Sequence, residues 1–409
     1  MADDEEQRTK WVERYAAEFA GVPFIREFVF PNPQHLRKGI QKEVCDLLVS
    51  MGDCAIVVQL KAQEDPAARD SGKLSSWIVK KAQEAADQLS GSLRTLDSMD
   101  VWCPHPRRGR VEFKAGQLRA IHGIALVECG QGKRIALPNA GLETQDVPLT
   151  YLDASDFLNL IMQLRSFKDI ERYLAARTTL GDDVRRYVGG EQVILEHYLL
   201  IGDGGFAQWS GYDDAKARAD RERSERDRLF QEKHQRDIPA TFTEYVADTL
   251  ATRLPEYRDG LDAATLRMFD ADENRQRYLL MQEVLASFSL VGRRQLGAGL
   301  LDTFGPPGAA KPSPCIYRAL WADEMPDVIF VAVSTTGIPR PEVISRALVL
   351  LGGALAHFGR RDGMVIVDRD STNFEIALVR GYTSTEADQE AGRKFFASLR
   401  VADVGDHIL

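Results

Sequence analysis

Cysteine is scarce in this chain, with five in 409 residues. Cys45, Cys54, Cys103, Cys129 and Cys315 make no CxxC pair, so there is no zinc-ribbon signature. Cys45 and Cys54, near each other across an expected hairpin, read as small core residues in a reducing compartment. The seven histidines supply no pair at helical or hairpin spacing for a metal. Long apolar runs are missing too. The best, Ala347 to Phe358, is well short of the ~20 residues of a membrane span and contains His357. The first residues, Met-Ala-Asp-Asp-Glu-Glu, are acidic where a secretory leader is basic and then apolar. The expectation is a cytoplasmic protein with no membrane segment. Positive charge is also in deficit: 52 Lys and Arg stand against 61 Asp and Glu, a net charge of −9. That counts against the whole surface attracting nucleic acid, but not against a local basic cleft.

What is present is ordinary globular material, 44% hydrophobic and 28% charged. A chain this long exceeds one core, so two or three domains are expected. The fold class reads as mixed α/β. Residues 5–20 have Trp11, Tyr15, Ala16 and Phe19 at helical spacing. A short β-like piece, Phe24 to Phe30, ends at Pro31 and Pro33, and residues 34–43 read as a helix. Val44–Met51 and Cys54–Ala62 read as two strands joined by a turn at Gly52-Asp53. A polar loop, 63–72, leads to a long helix over Lys73–Leu96. Strands are expected at Arg110–Lys114, Arg119–Glu128 and Lys133–Leu137, the last two joined by a turn over 129–132. Cys103-Pro-His105-Pro reads as a proline-stiffened loop. Helices follow over 153–164, 167–177 and 190–201. The segment 213–237 holds eight Lys/Arg and eight Asp/Glu, which fits a solvated helical linker. After a mostly helical stretch to about 300, the C-terminal part alternates: strands at 327–333, 364–368 and 373–379, helices at 342–358 and 384–398.

The chemistry-bearing stretch runs from Glu43 to Lys61. Side chains alternate along a strand, so Gln59 and Lys61 share one face and Ile56, Val58 and Leu60 the other. Asp46 lies on the partner strand. A buried carboxylate or ammonium is costly unless paired or metal-bound. If these residues converge, a carboxylate and an amide oxygen can hold a hard cation, which takes one or two carboxylates. A lysine beside them can hold the attacking water or steady the transition state.

The pattern Asp46-x12-Gln59-x-Lys61 resembles the PD-(D/E)xK nuclease motif in the QxK form of Mrr-type restriction nucleases. Gln59 stands where an acid is commoner, which removes one negative charge, and Asp46 has no proline before it. The resemblance covers about the first 130 residues. It implies a restriction-endonuclease-like core, with the helix over Lys73–Leu96 following the catalytic hairpin and Arg119–Glu128 as the next strand. It implies Asp46, Gln59, Lys61 and Glu43 as catalytic residues, with Asp46, Gln59 and Glu43 holding Mg²⁺ or Mn²⁺. The activity implied is phosphodiester hydrolysis of DNA, in bacterial defence against foreign DNA, and RNA stays open as a substrate. The alternative is a catalytically inactive module that binds nucleic acid or protein.

Basic residues follow the hairpin: Lys73, Lys80, Lys81, Arg94, Arg107, Arg108 and Arg110. Of these, Lys73, Arg107, Arg108 and Arg110 are the expected backbone contacts, which position without reading sequence. The expected organisation is a nuclease-like domain over 1–180, a mostly helical region over 181–309 that includes the linker 213–237, and a C-terminal α/β region over 310–409. A homodimer, or a partner protein held by the C-terminal region, is the quaternary expectation.

Overall fold

The computed structural model describes residues 2–62, 71–129, 133–144, 146–201, 206–252, 272–306, 315–335, 340–368 and 374–396. The expected loop over 63–72 and turn over 129–132 lie mostly outside them. The architecture is mixed α/β: a β-rich N-terminal region, a largely helical middle and a C-terminal α/β region. The chain divides into two compact units, Met1–Lys233 and His234–Leu409. The division falls inside the charged stretch 213–237. Residue 180 marks no break, because Tyr173, Leu180, Val184, Ile194 and Leu199 belong to one continuous core.

The first unit begins with helix α1 (Ala2–Ala20). Strands β1 (Val29–Pro31), β2 (Gln34–Arg37), β3 (Ile40–Glu43), β4 (Leu47–Met51) and β5 (Cys54–Lys61) follow, then helix α2 (Ser71–Ser98). Next come β6 (Val101–His105), β7 (Gly109–Phe113), β8 (Arg119–Val127), β9 (Ile135–Ala136), β10 (Glu143–Thr144) and β11 (Val147–Asp153). The main sheet has the order β1-β4-β5-β8-β11-β10. Strand β4 is antiparallel to both β1 and β5, while β8 runs parallel to both β5 and β11. Helix α2 is the crossover between β5 and β8, which parallel neighbours require.

Alternation sorts the sheet's side chains into two cores. Leu47, Val49, Ile56, Val58 and Leu60 pack with α1 and with helices α3 (Ala154–Leu164) and α4 (Phe167–Arg177). Leu48, Ala55 and Val57 pack with Leu74, Ile78, Ala85 and Leu89 of α2. Both faces are covered, so β5 is apolar along most of its length. The unit continues through α5 (Asp182–Arg185), strand β12 (Tyr187–Val188), α6 (Glu191–Ile201) and α7 (Tyr212–Arg221) into α8 (Arg223–Thr252), within which the two units divide.

Three expectations are corrected here. Residues 34–43 are not helical. They form the β2–β3 hairpin, paired Gln34↔Glu43 through Arg37↔Ile40. Lys38 and Gly39 turn it with φ of 54° and 77°, the left-handed pair of a two-residue turn that matches strand twist. The segment 101–105 is a strand rather than a loop, and a second sheet, β3-β2-β6-β7, is built on it. Strand β9 does not pair with β8 as a hairpin. It pairs with β12, while β8 is enclosed on both sides by parallel neighbours.

The second unit contains α9 (Asp272–Ala286), α10 (Leu290–Phe304), strands β13 (Cys315–Leu320), β14 (Val328–Thr335), β15 (Asp362–Asp368) and β16 (Phe374–Val379), and helices α11 (Arg340–Phe358) and α12 (Glu386–Phe396). Its sheet runs β13-β14-β15-β16, with the central pair parallel across α11. Val343, Leu351 and Leu355 of α11 cover Val331, Val333 and Val365. Buried Arg293 forms an ion pair with Glu244 at 2.5 Å. Among the described residues no helix is long and apolar enough to cross a membrane.

Candidate active site

The β4–β5 register pairs Leu47 with Val58, and one further step sets Asp46 opposite Gln59. Asp46 is 1% exposed and held at several points. Its Oδ2 accepts from the Leu60 N–H at 2.8 Å. Its own N–H donates to the Val58 carbonyl, and its carbonyl accepts from the Asn32 N–H. Oδ1 is buried with no hydrogen bond, although the Arg8 guanidinium stands 3.3 Å away. Burial pushes the carboxyl pKa up. The Leu60 hydrogen bond, Arg8, Lys61 and a hydrogen bond with Glu43 offset part of that.

Gln59 and Lys61 reach the α2 side of the sheet, as alternation requires. The Gln59 nitrogen donates to the Val44 carbonyl at 3.3 Å and to Ser92 Oγ at 3.1 Å. Its oxygen accepts no hydrogen bond from any described residue. Lys61 Nζ donates to Gln88 Oε1 at 2.5 Å. Partial burial lowers the lysine pKa, and Asp46 pulls it back up, so the two charges act on one another. Glu43 closes β3 and lies 3.4 Å from Arg8. One guanidinium thus bridges Glu43 and Asp46.

Arg8 is the residue that sequence reasoning missed. Nothing in the polar run around it marks its role, and only the docking of α1 beside the sheet brings it to these carboxylates. Beside the group lies a cleft of about 750 Å³, lined by Arg8, His35, Arg37, Glu43, Gln59 and Arg94, among others.

Does this donor set fit a divalent cation? Among the described residues no group of three or more His, Cys, Asp and Glu side chains converges. Here there are two carboxylates and an amide. A small hard cation keeps several waters and takes only one or two carboxylates. The buried Asp46 Oδ1, without a hydrogen bond though close to Arg8, and the Gln59 amide on the facing strand fit that demand.

None of the four expected phosphate contacts lines the cleft. Arg107 is turned to Glu27, Nε to Oε1 at 2.6 Å. Arg108 donates to the Glu27 carbonyl at 2.8 Å and lies over the Phe30 ring. His105 fixes this turn: its Nδ1 accepts from the N–H groups of Arg107 and Arg108, and its Nε2 faces the Arg26 carbonyl. Arg110 pairs with Glu112 and stacks on Trp102. Lys73 is exposed in the first turn of α2, about 30 Å along the helix from Arg94 at the usual 1.5 Å rise.

No family model, curated protein or solved structure matches this chain.

Proposed function

We propose that the chain is a metal-dependent nuclease whose catalytic centre is Asp46, Gln59, Lys61 and Glu43. The observation that carries this reading is the pairing of a buried carboxylate, one oxygen unsatisfied, with the amide and lysine of a facing strand. The order of elements supports it as well. A helix, three antiparallel strands, a crossover helix and a parallel strand are what a restriction-endonuclease-like core requires of residues 2–127.

Asp46 Oδ1, the Gln59 oxygen and Glu43 would hold Mg²⁺ or Mn²⁺, which acidifies water and offsets charge building on phosphate when bound. Every other task falls to the chain. Lys61, held by Gln88, can donate a hydrogen bond to the attacking water or to a phosphate oxygen. Its lowered pKa makes it a readier proton donor than a solvated lysine. Asp46 must be ionised to work, and its raised pKa makes activity rise with pH through the acidic range. Arg8, displaced from the carboxylates, can turn to the phosphate.

The test is cleavage of plasmid, linear duplex and single-stranded DNA and of RNA, with Mg²⁺, with Mn²⁺ and with EDTA. Wild type is run beside Asp46→Ala and Lys61→Ala. Metal-dependent cleavage lost in both variants supports the centre. Cleavage that survives both means the centre is elsewhere. One observation favours a second reading, a nucleic-acid-binding module that does not cut: Arg8 already neutralises both carboxylates. Metal-independent binding without cleavage, unchanged by Arg8→Ala, would favour that module.

A further inference from the structure

The β2–β3 hairpin brings cations together beside the candidate centre. Cross-strand partners share a face, and the pairs His35↔Lys42 and Arg37↔Ile40 lie two residues apart on each strand. His35, Arg37, Ile40 and Lys42 therefore occupy one face. Arg37 and Lys42 act together to depress the His35 pKa, after burial. His35 is 6% exposed and lines the cleft, and its Nδ1 has no hydrogen-bond partner. Across the cleft stands Arg94 of α2. Gly91, Ser92, Thr95 and Ser98, small residues of the same helix, line the cleft with it.

Arg37, Lys42 and Arg94 form no ion pair with any described residue. That contrasts with the Lys and Arg side chains that pair locally with carboxylates in this acidic protein, Arg218, Arg228 and Arg346 among them. Arg37, Arg94 and a buried imidazole line one concavity, and Lys42 lies on the hairpin face that carries His35 and Arg37; cations so placed suit a polyanion. Ile40, 62% exposed on the same face, adds an apolar surface that inorganic phosphate would not use and a nucleobase would. A cleft of about 750 Å³ has the bulk of a drug-sized ligand, roughly 300–1,000 Å³. That is the scale of a few linked nucleotides of one strand.

We propose that this cleft binds a single nucleic-acid strand, with Arg37, Lys42 and Arg94 on its phosphates and Ile40 against a base, and leads it toward Asp46 and Lys61. The inference rests on the nuclease reading for what happens at the end of the cleft, and on the cleft alone for binding. The ligand class is a strand with single-stranded character at the scissile position: a free strand, a flap or a frayed end.

The experiment measures binding of fluorescein-labelled oligonucleotides, single-stranded and blunt duplex of equal length, to the full chain in EDTA across a salt series. Arg37→Ala/Arg94→Ala and Ile40→Ser are compared with wild type and with Arg346→Ala, whose arginine pairs with Glu342 in the second unit. Arg37 and Arg94 are exposed, so the double variant leaves the cores alone, and circular dichroism verifies its fold. The expected result is a preference of wild type for the single strand and at least a tenfold loss of affinity in the double variant. Its log–log salt slope should be shallower by about 1.4, two contacts at roughly 0.7 each for a single strand. Ile40→Ser should lose affinity with the slope unchanged. Duplex binding as tight as single-strand binding overturns the proposal, as does a double variant with wild-type affinity and slope. Cleavage is read separately with Mn²⁺. Binding as described with no cleavage sinks the nuclease reading and leaves the cleft standing. Cleavage of a duplex by a chain whose cleft variants bind normally does the reverse.

Discussion

The Gln59 nitrogen donates to the Val44 carbonyl and to Ser92 Oγ, which gives a local reason for an amide at the position where the resembled motif more often has an acid. A glutamate there would set a carboxylate oxygen against a carbonyl oxygen. Gln59→Glu should therefore cost about 1–3 kcal/mol, the usual penalty for an unsatisfied buried group, in urea unfolding with EDTA. If a cation belongs at this position, Mn²⁺ restores part of the loss; stability indifferent to Mn²⁺ would place the ion elsewhere. Asp46 gives the converse case. Its folded-state pKa is raised, so ionisation costs stability. That contribution is whole below the ordinary carboxyl range and is lost as pH rises through the folded value. Asp46→Asn keeps an acceptor for the Leu60 N–H. It should match or exceed wild-type stability at pH 7 while abolishing metal-dependent cleavage. A large destabilisation would mean the carboxylate serves the fold. Asp156 obeys the same sign with no proposed role. Burial first, then Asp153, push its pKa to about 7 from 3.8. Its Oδ2 accepts from the Glu191 N–H at 3.1 Å, a bond that asparagine also makes. The stabilising effect of Asp156→Asn should grow from near zero at pH 4 to about 1 kcal/mol at pH 8, discounted because the residue is not fully buried. A pH-independent effect would show that the carboxyl is solvated.

Among the elements, β5 was legible because its signal is local. An apolar, β-branched run after a Gly-Asp turn alternates into two faces, and Gln59 and Lys61 follow from the count alone. The 34–43 segment was not legible. Its ten residues hold few apolar groups to show a period, and Leu36 and Ile40, four apart as on a helix face, are both exposed. The deciding feature is the Lys38-Gly39 turn, whose left-handed pair is weaker as a sequence cue than Asn-Gly. Strand β6 was hidden by Pro104, which reads as a breaker, and Arg8 by its dependence on tertiary packing. The misread hairpin carries three of the cleft's polar residues, so its turn is a handle on binding. Gly39 has φ of 77°, and the space that a Cβ would take there is open. Gly39→Ala therefore clashes with nothing and acts only through backbone strain, on the order of 1–2 kcal/mol for a left-handed L-residue. Single-strand affinity should fall about fivefold with the salt slope unchanged, because no cation is removed. Unchanged affinity would show that the hairpin need not be preformed.

At the scale of the whole molecule, a net charge of −9 repels a polyanion on average, and among the described residues cations without local partners offer it a hold. The acidic composition, which counted against nucleic acid in the sequence, sharpens the contrast around the cleft instead. It also makes the cleft's contribution depend on pH in a way that local contacts alone would not. At pH 8 the surrounding field is negative, and binding relies on Arg37, Lys42 and Arg94. Below the isoelectric point of about 5.5 the carboxylates begin to neutralise. The net charge passes through zero and turns positive, so the surface as a whole no longer repels a polyanion. The tenfold defect of Arg37→Ala/Arg94→Ala at pH 8 should shrink to threefold or less at pH 5, as non-specific contacts replace those of the cleft. The preference for single strands over duplex should shrink with it. A defect of equal size at both pH values would mean that the cleft holds its strand by contacts the global field does not reach. Its selectivity would then be geometric rather than electrostatic.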